Sequence, residues 1–158
     1  MGEFFKYHCP ECNRDICFPA GIVMNYHLEC ASMLEHIVNG RHGKELRELA
    51  LKAKFPAVKY RDGLFKCDEC EKIEKGRYFS LYDRDPEDLM REWNFKLRVV
   101  PFVLYPQEND VLLFEAEKHC DECGKKMRFL EDEEIRESVL KCPQCKFELV
   151  KMKHGFFD

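Results

Sequence analysis

No uninterrupted apolar stretch in this chain approaches the roughly 20 residues that a membrane span requires, and no apolar h-region follows the N-terminus. Positive charge is not in excess either: 26 Lys and Arg stand against 30 Asp and Glu, a formal net charge of −4. Non-specific nucleic-acid binding works by displacing counterions with a cationic face, so an anionic chain needs a local basic patch for it. The best candidate patch is Lys141, Lys146, Lys151 and Lys153, set beside Glu148 and the acidic run Glu131 to Glu134. Nothing in the sequence fixes a trio of nucleophile, base and orienting group of the kind that covalent catalysis needs. These absences lead us to expect a soluble, cytoplasmic protein with reduced thiols, no membrane partner and no enzymatic activity.

Cysteine is what the chain has in abundance. Eight of its 10 cysteines form four Cys-x-x-Cys pairs: Cys9/Cys12, Cys67/Cys70, Cys120/Cys123 and Cys142/Cys145. Two thiolates separated by two residues face one ion from a single tight turn, and two such turns complete the tetrahedral shell that zinc prefers. The expected cofactor is therefore Zn2+, two structural ions per chain. Eight thiolates around two divalent ions would take the formal charge from −4 to −8. A secreted disulfide scaffold is the rival reading, but such chains are usually shorter, and cysteines flanking only two residues seldom bridge one another. Dithiol redox motifs usually come singly, whereas here there are four.

Eighteen residues separate Cys123 from Cys142, a spacing suited to two knuckles at the ends of a short hairpin. Lys126 to Leu130 and Ile135 to Leu140 read as its arms and Glu131 to Glu134 as its polar tip. Between Cys12 and Cys67 lie 54 residues, room for an inserted helical piece. A small regularity supports pairing these two knuckles: His precedes the opening cysteine in His8-Cys9 and His119-Cys120, and Lys precedes the closing one in Lys66-Cys67 and Lys141-Cys142. Those lysines also stand where they would moderate the charge of a four-thiolate site.

The insertion reads as two helices. Met24 to Val38 carries Leu28, Met33, Leu34, Ile37 and Val38 near helical spacing and ends at Asn39-Gly40, a natural left-handed cap. Gly43 to Lys54 places Leu46, Leu49, Ala50 and Ala53 on one stripe before Phe55-Pro56. Both are expected to pack on the first ribbon. Further on, Arg77 to Tyr82 reads as a strand and Asp85-Pro86 as a helix start reaching about Trp93. Phe95 to Tyr105, interrupted by Pro101, and Val111 to Glu117 read as an antiparallel hairpin.

The knuckles Cys9-Pro10-Glu11-Cys12, Cys67-Asp68-Glu69-Cys70, Cys120-Asp121-Glu122-Cys123 and Cys142-Pro143-Gln144-Cys145 resemble those of zinc-ribbon, or rubredoxin-like, proteins. The resemblance covers the metal-binding segments only and implies no activity. It implies that each ribbon takes one opening and one closing knuckle, with Cys9, Cys12, Cys67 and Cys70 at one site and Cys120, Cys123, Cys142 and Cys145 at the other. The expected fold is α+β: two zinc-ribbon modules, the first interrupted by two short helices, joined by an antiparallel hairpin region. The expected division is residues 1–82 and 83–158.

Alternatives attach to particular residues. Cys9, Cys12, His27 and Cys30 would make a self-contained finger, although His27 and Cys30 also suit packing positions on the first helix. Cys17 beside the first knuckle invites a redox role, but it reads as an apolar position on the returning strand. Four thiolates hold iron in rubredoxin-type knuckles, where glycine tends to follow each pair. Here only Cys123-Gly124 complies, which favours zinc. The 13 Phe, 6 Tyr and one Trp suit packing around the metal sites better than base-stacking platforms. The sequence therefore points to a non-catalytic adaptor that binds other proteins, with nucleic-acid binding and iron electron transfer as alternatives.

Overall fold

The computed structural model describes residues 2–20, 25–87 and 102–157. Along the chain come strands β1 (Gly2–Cys9) and β2 (Arg14–Ala20), helices α1 (Tyr26–Val38) and α2 (Lys44–Lys52), and strands β3 (Pro56–Lys66), β4 (Ile73–Asp83), β5 (Val111–Glu115) and β6 (Arg128–Leu130). Helix α3 (Asp132–Glu137) and strand β7 (Val150–Phe157) complete the order. The fold is α+β. Its two compact units interleave along the chain, instead of dividing it once at residue 82: Met1–Met24, Asp62–Tyr78 and Glu117–Asp158 form the first, Asn25–Arg61 and Phe79–Ala116 the second. The chain passes from one to the other within β3 and β4.

In the first unit β1 turns back into β2, with Phe5 opposite Phe18 and Cys9 opposite Arg14. The other edge of β1 pairs antiparallel with β7, Phe4 opposite Gly155 and His8 opposite Val150. Leu64, Phe65 and Lys66 of β3 pair antiparallel with Leu130, Phe129 and Arg128 of β6. Because strand side chains alternate, Leu64 and Phe65 serve different clusters. Leu64, Ile73 and Leu130 join Phe5, Tyr7 and Phe18, while Phe65, Tyr78 and Phe129 surround Cys67, Cys120 and Met127. Fully burying a Leu or Ile contributes about 1.5–3 kcal/mol, so Leu64, Leu130 and Ile135 are principal contributors.

Glu131 to Glu134 is not the tip of a hairpin. Glu131 caps α3 and Glu134 reaches back to the Glu131 N–H at 3.1 Å, a reciprocal capping box that favours a helix over a turn. Buried Ile135 follows, and its carbonyl accepts the Tyr7 hydroxyl at 3.0 Å.

The second unit holds α1 and α2, both close to their expected spans. The helices thus belong to this unit and not to the one carrying Cys9 and Cys12. On α1 the buried face is Tyr26, Cys30 and Ile37, while Leu28 is exposed; on α2 it is Leu46 and Ala50. Strand β5 pairs with β4, Ser80 opposite Glu115 and Asp83 opposite Val111. It does not pair with Phe102 to Tyr105, since Phe102 instead bridges Val58 in the parallel sense. Residues 95–101 of that expected arm, with Pro101, and the expected helix from residue 88 onward lie outside the described residues. Arg84 and Asp110 form a buried ion pair at 3.3 Å, their side chains 1% and 0% exposed. Asp110 also accepts the backbone N–H groups of Gln107 at 2.9 Å and Asp85 at 3.2 Å, which anchors the turn before β5.

Candidate metal centres

All four Cys-x-x-Cys pairs adopt one hairpin turn. The N–H of the first cysteine meets the carbonyl five residues on, Cys67 to Lys72, Cys120 to Lys125 and Cys142 to Phe147, each at 2.8 Å. Cys9 faces Arg14 at the same offset across β1 and β2. The residue after each second cysteine is left-handed: Asn13 at φ 51°, Glu71 at 56°, Gly124 at 71° and Lys146 at 64°. Only one of these four is the glycine that such a backbone favours. The turn is made without it at the other three, so the missing glycines do not discriminate against iron.

These turns aim backbone N–H groups at sulfur. The Cys12 N–H lies 3.4 Å from Cys9 Sγ. The N–H of Cys70, with that of Glu69 and the Cys123 and Cys70 thiols, lowers Cys67 to about 7 against the opposing effect of burial. Burial opposes ionisation at Cys142 as well, but the Cys145 and Gln144 N–H groups and neighbouring thiols outweigh it and bring Cys142 to about 7. Their neighbours move the other way. Hydrogen bonding to Cys145 is the main cause that pushes Cys12 up to about 12. At Cys70 the Lys72 N–H favours the thiolate, yet burial and the Cys120, Cys67 and Cys123 thiols push it up to about 12. Four thiols this close cannot all ionise without a cation among them.

The thiols gather as Cys9, Cys12, Cys142 and Cys145 in one set and Cys67, Cys70, Cys120 and Cys123 in the other, the sulfurs of each set all within 4.8 Å of one another. This corrects the expected pairing. Each set does take one His-preceded and one Lys-preceded knuckle, but the partners are exchanged. The cause is strand pairing: β7 follows the Cys142 knuckle and lies on β1, and β6 follows the Cys120 knuckle and lies on β3. In each set, therefore, a hairpin carries one pair, and the strand that follows the other pair lies on the edge of that hairpin. Burial repeats as well: Cys9 and Cys67 are buried, Cys12 and Cys70 partly so, Cys142 and Cys120 buried, Cys145 and Cys123 exposed.

The sets fit a tetrahedral ion. Bonds of about 2.3 Å from zinc would space the sulfurs by about 3.8 Å. The Cys9–Cys145 separation is 3.5 Å, Cys67–Cys123 3.4 Å, Cys70–Cys120 3.5 Å and Cys70–Cys123 3.9 Å. Four thiolates leave a divalent ion with a formal charge of −2, and cations stand nearby. Lys72 pairs with Asp121 and lies 3.7 Å from Glu122; Lys141 pairs with Glu71; Lys146 reaches Glu122 at 3.0 Å. Asp121, Glu71 and Glu122 are all held below the ordinary carboxylate range, foremost by hydrogen bonds from Lys72, Lys141 and Lys146 respectively. The expected basic patch is thereby changed, because Lys141 and Lys146 are engaged with carboxylates and Lys151 lies over the Phe5 ring at 5.0 Å. Of the residues around the sulfurs, Glu71, Lys72 and Glu122 had no role in the sequence reading.

His27 is exposed and Cys30 is fully buried, its Sγ 3.9 Å from the Tyr60 carbonyl; burial pushes that thiol up to about 11. Neither belongs to a four-ligand set among the described residues. Cys17 sits on β2 opposite Lys6 and is exposed, where an apolar packing position was expected. No helix among the described residues is long and apolar enough to cross a membrane. No protein-family model matches the chain, nor does any curated protein or any solved structure.

Proposed function

We propose that the protein is a non-catalytic zinc protein built on two zinc-ribbon modules, working in the cytoplasm as a docking adaptor for other proteins. The single observation that carries this reading is the pair of closed four-cysteine sets, Cys9/Cys12/Cys142/Cys145 and Cys67/Cys70/Cys120/Cys123. A shell filled by four thiolates has no open position for water or substrate, so the ions hold structure and do no chemistry. Each set joins a hairpin to an added antiparallel strand, the arrangement a zinc ribbon has. Exposed Val139, Phe147, Val150 and Met152, in the unit that carries both sets, supply apolar surface of the sort protein partners use.

Zn2+ is the ion in this reading, redox-inert and suited to thiolates. Elemental analysis of protein purified without added metal should give two zinc ions per chain in a colourless solution. A red, iron-containing protein would make it an electron carrier instead. Dialysis against a strong chelator should abolish both near-ultraviolet circular dichroism and capture of co-purifying proteins. Retention of the full signal without metal contradicts a structural role. Salt-sensitive binding of single-stranded nucleic acid, in place of protein capture, would replace the adaptor reading.

A further inference from the structure

We infer that the two centres fill as one coupled system, in which the inner centre (Cys67, Cys70, Cys120, Cys123) builds the surface on which the outer centre (Cys9, Cys12, Cys142, Cys145) assembles. The inference rests on the zinc reading above and adds an order and a coupling that the reading does not require.

The ligands are nested. The inner pairs are separated by 49 residues and the outer pairs by 129, and the inner stretch lies wholly within the outer one. Closing a loop costs more entropy the longer it is, so the inner centre has the smaller loop to close. Once closed, it takes its own stretch out of the loop that the outer centre must close.

Packing runs in the same direction. Strand β6 follows the inner knuckle Cys120–Cys123 and lies on β3, placing Leu130 opposite Leu64. Those two side chains and Ile73, which follows the other inner knuckle, share a core with Cys9, Cys142, Leu140 and Leu149. Half of the outer ligands are thus buried against side chains that the inner centre puts in register. The inner ligands Cys67 and Cys120 have a separate core of Phe65, Tyr78 and Met127, to which, among the described residues, none of β1, β2 or β7 contributes.

Charge links the centres directly. Glu71, the residue after Cys70, pairs with Lys141, the residue before Cys142. Glu122, between Cys120 and Cys123, pairs with Lys146, the residue after Cys145, at 3.0 Å. Two loaded centres of formal charge −2 repel one another, and these lysines stand where they offset that repulsion.

Cobalt(II) titrations in competition with a chromophoric chelator test the inference on the whole chain and on two variants. One is Cys120→Ser with Cys123→Ser, the other Cys142→Ser with Cys145→Ser. The variant keeping only the inner centre should bind one ion at least about tenfold more tightly than the variant keeping only the outer centre. The product of the two wild-type affinities should exceed the product of the variant affinities by at least about tenfold, within the range usual for coupled sites. A parallel measurement needs no variant to fold. As zinc is added to wild-type protein, thiol alkylation read by mass spectrometry should never find the inner cysteines less protected than the outer ones. Equal affinity products, or outer cysteines protected first, overturn the coupling or its order while leaving the metal reading intact. Wild-type protein showing no tetrathiolate cobalt absorption overturns both.

Discussion

Gly124 offers a clean probe of how the knuckle backbone supports metal binding. It follows Cys123 at φ +71°, and a Cβ added there would meet nothing within 4 Å. Any effect of Gly124→Ala is then conformational and not steric. Holding an L-residue left-handed costs roughly 1–2 kcal/mol, and the smaller freedom of alanine in the unfolded chain returns roughly 0.5–1. The net expectation is about 1 kcal/mol, or about fivefold in the affinity of the Cys67/Cys70/Cys120/Cys123 centre, since binding and folding of a small metal module are one equilibrium. Cobalt competition titration reads that loss directly. The control is Gly43→Ala, at φ 95° and ψ 163° before α2, where again nothing lies within 4 Å. That backbone region is almost closed to other residues, so the substitution should cost about 1–3 kcal/mol in chemical unfolding. Because Gly43 lies outside the metal-bearing unit, cobalt affinity should not change. Unchanged or tighter cobalt binding by Gly124→Ala, or equal weakening by Gly43→Ala, would mean that the left-handed backbone at Gly124 does not support the metal centre.

Three further outcomes are expected. Leu130→Ala removes a side chain that is 1% exposed and should cost about 2–5 kcal/mol in urea unfolding of the loaded protein; a cost near zero would mean β6 does not pack as described. Arg84→Met alone leaves the Asp110 carboxylate buried without its cation and should cost about 3–5 kcal/mol, whereas Arg84→Met with Asp110→Asn, which removes the charge but keeps an oxygen for the Gln107 and Asp85 N–H groups, should recover part of it. Glu134 is held below the ordinary glutamate range: burial works against this, but the Glu131 N–H and Arg128 outweigh it. A lowered carboxylate pKa contributes stability above the unfolded value of about 4.3 and loses it as pH falls through the folded value. Thermal unfolding of Glu134→Gln should therefore show a shallower acid limb than wild type, and identical limbs would remove Glu134 from the account.

Local chemistry was legible in the sequence, and long-range pairing was not. Helices α1 and α2 follow from apolar spacing and from stop signals at Asn39-Gly40 and Phe55-Pro56, all of them short-range. The eight cysteines that gather into sets follow from the Cys-x-x-Cys spacing alone. Which pair joins which depends on β1 meeting β7 across nearly the whole chain, a contact that no local pattern encodes. The clue lay in the apolar and aromatic residues at both ends, Phe4-Phe5-Lys6-Tyr7 and Val150-Lys151-Met152, each able to form a strand. Strand β3 was hidden by Lys59 and Arg61, charged residues that are nonetheless 2% and 8% exposed. The polar tip before Ile135 was misread because Glu131 and Glu134 suit a helix start as well as a turn, and the reciprocal cap decides between them.

X-ray absorption at the zinc edge, on protein whose metal content has been counted by native mass spectrometry, reads the occupancy and the ligand shell of both centres together. The expected result is two zinc ions per chain, each with four sulfur neighbours at about 2.3 Å. Fewer than two ions, nitrogen or oxygen in the shell, or disulfides among those eight cysteines would contradict it.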